Sequence, residues 1–264
     1  MRMLVTLLVC YALMCAVMFA LQRKLLYLPG PGSTSDLRTL GVERWPQAEP
    51  DYLGLMGADP VEPVIANVIV FHGNAGSAVD RRYYVAALER RGFRVFINEY
   101  PGYGGRPGSP SEATVTQQAE RLVAAVAQAF PEPVFLWGES LGAGVAGSIA
   151  SRVDAAGVVL LTPWDSLPNV AQAQFWFLPA RWLVLDQYDT VENLRDYEGP
   201  VAVIVAENDE VIAPRHGRNL FASLSGEKRF WEFAEAGHNS WPAAEHHEWW
   251  TEVTEYLTQS LGDN

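Results

Sequence analysis

The chain opens on an unbroken apolar run. From Met3 to Leu21 there is no charge, and the only polar groups are Thr6, the Tyr11 hydroxyl and two thiols. As a helix at ~1.5 Å per residue this run is about 28 Å long, close to the hydrocarbon thickness of a bilayer. Arg2 flanks one end, Arg23 and Lys24 flank the other, and Tyr27 stands where an interfacial aromatic is expected. The run exceeds a usual signal h-region and no small-x-small cleavage site follows it. Residues 1–24 are therefore expected to form an uncleaved transmembrane anchor in a bacterial-type inner membrane. Positive charge is nearly balanced across the span, and the C-terminal part is expected outside the cytoplasm.

Beyond Pro29 the pattern becomes short apolar runs alternating with amphipathic stretches. Strands are expected at Leu37 to Trp45, Tyr52 to Met56, Val64 to Phe71, Phe93 to Asn98, Val134 to Trp137, Gly157 to Leu161, Val201 to Ala206 and Arg229 to Phe233. Helices are expected at Val79 to Arg90, Glu112 to Phe130, Leu141 to Arg152 and Ala243 to Leu261. Strand and helix in alternation imply an α/β domain over residues 30–264, a mostly parallel sheet with helices on both faces. Residues 162–200 lack a clear strand and are expected to form a short lid or excursion.

Composition narrows the function. The formal net charge is -12, which argues against a nucleic-acid partner, since phosphate binding rests on clustered Lys and Arg. The same charge disfavours electrostatic adsorption to anionic lipid, so membrane contact is expected to be hydrophobic. Cys10 and Cys15, the two cysteines, both lie in the apolar run, leaving no thiol chemistry for the rest of the chain.

The chemistry-bearing motif is Gly138-Glu139-Ser140-Leu141-Gly142. It follows an apolar strand and opens a helix, as a strand–turn–helix nucleophile elbow requires. The glycines permit a tight turn on which a serine is exposed, and Ala143, Gly144 and Gly147 keep the next helix narrow. A serine hydroxyl needs a base, and the base an orienting acid, in the chain order Ser, acid, His. His72 precedes the serine, His216 falls in a helix after Pro214, and His246 and His247 belong to the last helix. His238, just after a late strand, is the expected base. Asp209, directly after the strand Val201 to Ala206, is the expected acid; Asp165 is its rival, and Glu207 and Glu210 are expected as solvated neighbours. Two N–H donors are needed for the oxyanion. The backbone of Leu141 is one, and Asn74, with Ala75 as second choice, is the other.

Five segments in order, Phe71-His72-Gly73-Asn74-Ala75-Gly76, Tyr100-Pro101-Gly102-Tyr103-Gly104, the Gly-Glu-Ser-Leu-Gly elbow, Asn208-Asp209 and Gly237-His238, resemble the α/β-hydrolase superfamily. With Gln22-Arg23-Lys24-Leu25-Leu26-Tyr27 after the apolar run, they look like its membrane-anchored Bem46-like (ABHD13/ABHD17-like) branch. The resemblance implies the α/β-hydrolase fold, a cofactor-free serine mechanism and ester-type substrates. Gly104-Gly105-Arg106-Pro107 departs from it where relatives usually carry a serine, as does Asn239-Ser240 where an acid is common.

His246-His247-Glu248 is not expected to bind metal, because neighbours on a helix point in different directions. Phe175, Trp176, Phe177 and Trp182 either line an acyl pocket or pack the excursion onto the sheet; the sequence leaves both open. The leading expectation is hydrolysis of an ester or thioester with a lipid-like acyl group. A serine peptidase and a non-catalytic binding protein of the same fold are the alternatives.

Overall fold

The computed structural model describes residues 1–33, 35–46, 52–259 and 261. A long helix α1 (Arg2–Leu26) precedes a two-residue strand β1 (Leu28–Pro29), then β2 (Val42–Trp45), β3 (Gly54–Gly57), β4 (Ala66–Phe71) and the short β5 (Ala75–Gly76). Next come α2 (Tyr83–Glu89), β6 (Phe93–Asn98), α3 (Glu112–Ala129), β7 (Val134–Glu139), α4 (Leu141–Ala150) and β8 (Gly157–Leu161). The excursion holds α5 (Leu167–Gln174), α6 (Ala180–Leu183) and α7 (Thr190–Asn193). After it β9 (Val201–Ala206), α8 (Pro214–Ser223), β10 (Lys228–Phe233) and α9 (Trp249–Gln259) complete the chain.

Eight strands form one sheet in the order β10-β9-β8-β7-β4-β6-β3-β2. From β10 to β6 every pairing is parallel; β3 and β2 close the edge antiparallel. The strands β4, β6, β7, β8 and β9 are buried at every position, because helices cover both faces and no side of the pleat meets water. Alternation survives as a division between two cores. Ile69, Leu136, Leu160 and Val203 pack under α3 and α4, while Val68, Trp137, Val159 and Ile204 pack under α2 and α9.

Three expected elements depart by more than two residues from those observed. The strand expected over Leu37 to Trp45 begins as a 3₁₀ turn, Leu37–Leu40, in which the Arg38 N–H is capped by the Asp36 side chain. That turn ends at Gly41 with φ 79°, so only Val42–Trp45 is extended. The helix expected from Val79 splits into a 3₁₀ turn, Ala78–Arg81, and α2. The last helix starts six residues later than expected, at Trp249 instead of Ala243. The Trp249 and Trp250 indole N–H groups donate to the carbonyls of Pro242 and Ala244, which holds that stretch as a turn. His246 and His247 thus lie before the helix, their rings stacked 4.6 Å apart.

The apolar run forms one continuous helix, with no fully buried residue and a mean hydropathy of 2.6 over its most apolar window. It reaches Leu26, two residues past the expected anchor boundary. Its partly covered positions, Cys15, Met18, Gln22 and Leu26, recur at spacings of three and four, so one stripe faces protein and the rest faces outward.

Candidate active site

The elbow follows from its neighbours. β7 runs through Glu139 and α4 begins at Leu141, so Ser140 alone makes the reversal, at φ 55° and ψ −114°. That conformation is strained for a residue with a Cβ and projects the hydroxyl off the carboxyl end of the sheet. A Cβ on Gly142 would collide with the Phe71 carbonyl, and one on Gly138 with the first turn of α4. Gly142→Ala should therefore cost about 3 kcal/mol or more, a fall in Tm of about 6–12 °C for a domain this size. Thermal unfolding checks this, and an unchanged midpoint would remove the steric reading of the motif.

The structure brings Ser140, His238 and Asp209 together although 98 and 29 positions separate the pairs. His238 Nε2 lies 2.9 Å from Ser140 Oγ, and His238 Nδ1 lies 2.7 Å from Asp209 Oδ2. A carboxylate only accepts, so Nδ1 carries the proton and the Nε2 lone pair faces the serine hydroxyl. The other Asp209 oxygen accepts the backbone N–H groups of Val211 at 2.9 Å and Ile212 at 2.7 Å, which fixes the carboxylate plane. All three side chains are buried.

Asp165, the rival acid, is buried elsewhere and takes 2.9 Å from His216 Nδ1. Burial opposes its ionisation, but the bonds from His216 and the Ser166 N–H prevail and hold its carboxyl below the ordinary value. His216 and Asp165 thus satisfy one another. Glu207 and Glu210 are exposed as expected, yet they also bond: they accept the N–H groups of Glu235 and His238, bracing the histidine loop.

Asn74 and Leu141 both border the cavity beside Ser140. Among the described residues no protein acceptor is found for either backbone N–H. The Asn74 loop is pinned on several sides. Its side-chain amide donates to the Leu26 carbonyl at 2.9 Å, and its carbonyl accepts from Leu28 N at 3.0 Å and Tyr103 Oη at 2.7 Å. Ala75 is instead paired through β5 with Leu28 of β1. His72, next to this loop, is fully buried; burial pushes its imidazole down to about 3, against the pull of its bond to the Gly73 carbonyl.

Two contributions escaped sequence reasoning. Glu139, inside the elbow, is a buried carboxylate gripped by Arg81 Nε at 3.0 Å, Tyr83 Oη at 2.9 Å and Tyr84 Oη at 3.1 Å. A charge at the end of an otherwise apolar strand is a signal that such partners exist. The second is α1. A cavity of about 290 Å³ rises from Ser140 between the excursion and the C-terminal turns of α1, walled by Leu167, Val170 and Leu183 on one side and Phe19, Leu25 and Leu26 on the other. Of the four expected excursion aromatics only Phe175 borders it; Trp176 and Trp182 stand 78% and 79% exposed. Charged groups in the wall are Arg23 and Asp186, which bond to each other through two oxygens at 3.1 and 2.9 Å. Among the described residues no cluster of His, Cys, Asp or Glu is arranged to hold a metal ion.

Residues 62–187 match the family model described as serine aminopeptidase, S33. An uncharacterized protein of Mycobacterium tuberculosis is 34% identical over 175 residues, covering 65% of this chain and 62% of the relative. Lysophosphatidylserine lipase ABHD12 of Danio rerio is 30% identical over 188 residues, covering 61% of this chain and 49% of the relative. The chain thus spans about half to three-fifths of the length of these curated relatives. Among solved structures, the Pyrococcus furiosus esterase Pf2001 superposes with TM-score 0.66 at 16% identity, over 88% of this chain and 96% of that one.

Proposed function

We propose that this chain, which has the α/β-hydrolase fold, is a membrane-anchored serine hydrolase that cleaves carboxylic ester or thioester bonds of lipid-like acyl substrates. The observation that carries this reading is the unbroken Ser140–His238–Asp209 relay at the floor of an apolar cavity. His238 Nε2 takes the Ser140 proton as Oγ attacks the acyl carbon, and Asp209 stabilises the imidazolium that forms. The N–H groups of Leu141 and Asn74 hold the oxyanion. His238 then returns the proton to the departing alcohol or thiol, leaving an acyl-enzyme. Water, deprotonated by the same imidazole, releases the acid and restores Ser140. No cofactor enters these steps. The apolar wall suits a hydrocarbon chain, in keeping with the lipase name of the fish relative.

The family description favours amide cleavage at a peptide N-terminus as a second reading. An ammonium ion in the site would need a carboxylate, and Asp186, the acidic group in the wall, is already neutralised by Arg23. Purified full-length protein should therefore hydrolyse p-nitrophenyl esters with kcat/KM rising about fourfold per added methylene, at ~0.8 kcal/mol each, until the cavity fills. Preference for acetate over octanoate would sink the acyl-pocket reading. Turnover of aminoacyl amides alone would install the peptidase.

A further inference from the structure

The cavity and the helix share a geometry that reaches beyond the chemistry. The excursion climbs along α1. Gln22 exchanges hydrogen bonds with the Leu183 carbonyl at 3.1 Å and the Leu185 N–H at 2.7 Å, and Arg23 pairs with Asp186. Higher up, the Tyr11 hydroxyl donates to the Phe177 carbonyl at 3.0 Å. Tyr11 and Gln22 are separated by about 16 Å of helix axis at ~1.5 Å per residue. The tip of the excursion therefore stands beside the apolar run of α1, not below it.

Its composition suits that position. From Leu167 to Leu185 the one charged residue is Arg181, while Asp165 and Asp186 bracket the stretch at its base. A long cation at such a depth can extend to the interface. Trp176, Phe177, Trp182 and Leu185 turn outward without covering neighbours, 47% to 79% exposed. In water this would be a large unprotected apolar patch continuous with an equally bare helix. The cavity runs the same way. Its α1 wall extends from Leu26, whose carbonyl is bonded to the oxyanion loop, up to Met18, inside the apolar run.

We propose that the excursion tip is immersed with α1 in the near leaflet, and that the cavity admits acyl chains to Ser140 directly from the bilayer, between α1 and the α5–α6 segment. The occupant of the exposed aromatic patch is the lipid surface itself. The Arg23–Asp186 pair, with the Tyr27 hydroxyl 3.1 Å from Asp186, marks the polar level at which the chain leaves the hydrocarbon. Entry of substrate rests on the ester-hydrolase reading; immersion does not.

The test uses full-length protein in phosphatidylcholine vesicles whose acyl chains carry bromine, a contact quencher of indole fluorescence. Wild-type emission should be quenched, and Trp176→Phe with Trp182→Phe should remove most of that quenching, since the other seven of nine tryptophans lie off the excursion tip and, of those seven, Trp164 alone borders the cavity. Absent quenching, or quenching unchanged in the double variant, overturns immersion. In the same vesicles, Trp176→Ser with Trp182→Ser should lower kcat/KM for a long-chain monoacylglycerol about tenfold and leave soluble p-nitrophenyl butyrate unchanged. An equal effect on both substrates, or none on either, overturns entry from the bilayer. Protein that hydrolyses no ester yet shows the quenching pattern would refute the ester reading and keep the immersed tip.

Discussion

Ser140→Ala should abolish ester turnover, lowering kcat/KM by on the order of 10⁴–10⁶-fold while the protein stays folded. The size of the loss follows from what the side chain does. In the proposed mechanism Ser140 Oγ is the atom that bonds the acyl carbon, and no other hydroxyl among the described residues lies against His238 Nε2. What survives is water attack assisted by the oxyanion donors and by binding, which keeps a residual rate over solution. His238→Ala should cost nearly as much, and the double variant little more, because the two act as one unit. Stability should move the other way for Ser140→Gly. At φ 55° the backbone is strained for any residue with a Cβ, and glycine relieves that strain. Turnover assays, labelling by a fluorophosphonate and thermal unfolding check these together. Labelling of Ser140→Ala at the wild-type rate would place the nucleophile elsewhere.

Much of the geometry of this candidate site was legible because its signals are local. The Gly138–Gly142 motif demands a tight turn, and Asp209 and His238 each follow the end of a strand, where a parallel sheet gathers its functional groups. The bounds of β6, β8 and β9 agree with expectation because each is a short apolar run closed by turn residues. Errors arose where nearby side-chain hydrogen bonds overrule the hydrophobic pattern. Leu37 and Leu40 read as strand, yet the Asp36 cap and Gly41 close a 3₁₀ turn around them. Ala243 to Glu248 read as helix, yet two indole N–H groups claim the carbonyls of Pro242 and Ala244. The cavity wall was illegible for a different reason. It joins α1 to segments about 160 residues away, and an apolar run long enough to span a bilayer gives no sign that one of its stripes also lines a cavity with Ser140.

Asp209→Asn should lower kcat/KM by about 10⁴-fold with little change in KM, whereas Asp165→Asn should leave turnover within about threefold. Both are buried aspartates bonded to a histidine Nδ1, so charge and burial alone do not separate them. Connectivity does. An asparagine amide at 209 can present N–H to Nδ1, which favours the tautomer with hydrogen on Nε2. That ring then points a proton at Ser140 Oγ and has no lone pair to take one. At 165 the same change acts on His216, which has no bond to Ser140, and its cost falls on stability, about 1–2 kcal/mol or 2–8 °C in Tm. The pH dependence of that cost has a definite sign. The folded state holds the Asp165 carboxyl below its ordinary value, so its contribution is complete above the unfolded pKa and fades as pH falls through the folded one. The Tm gap between wild type and Asp165→Asn should therefore be full at neutral pH and shrink in acid, while the activity of Asp209→Asn stays low throughout. Loss of turnover in Asp165→Asn with Asp209→Asn active would transfer the orienting role to the other aspartate and require His238 to turn away from its present partner.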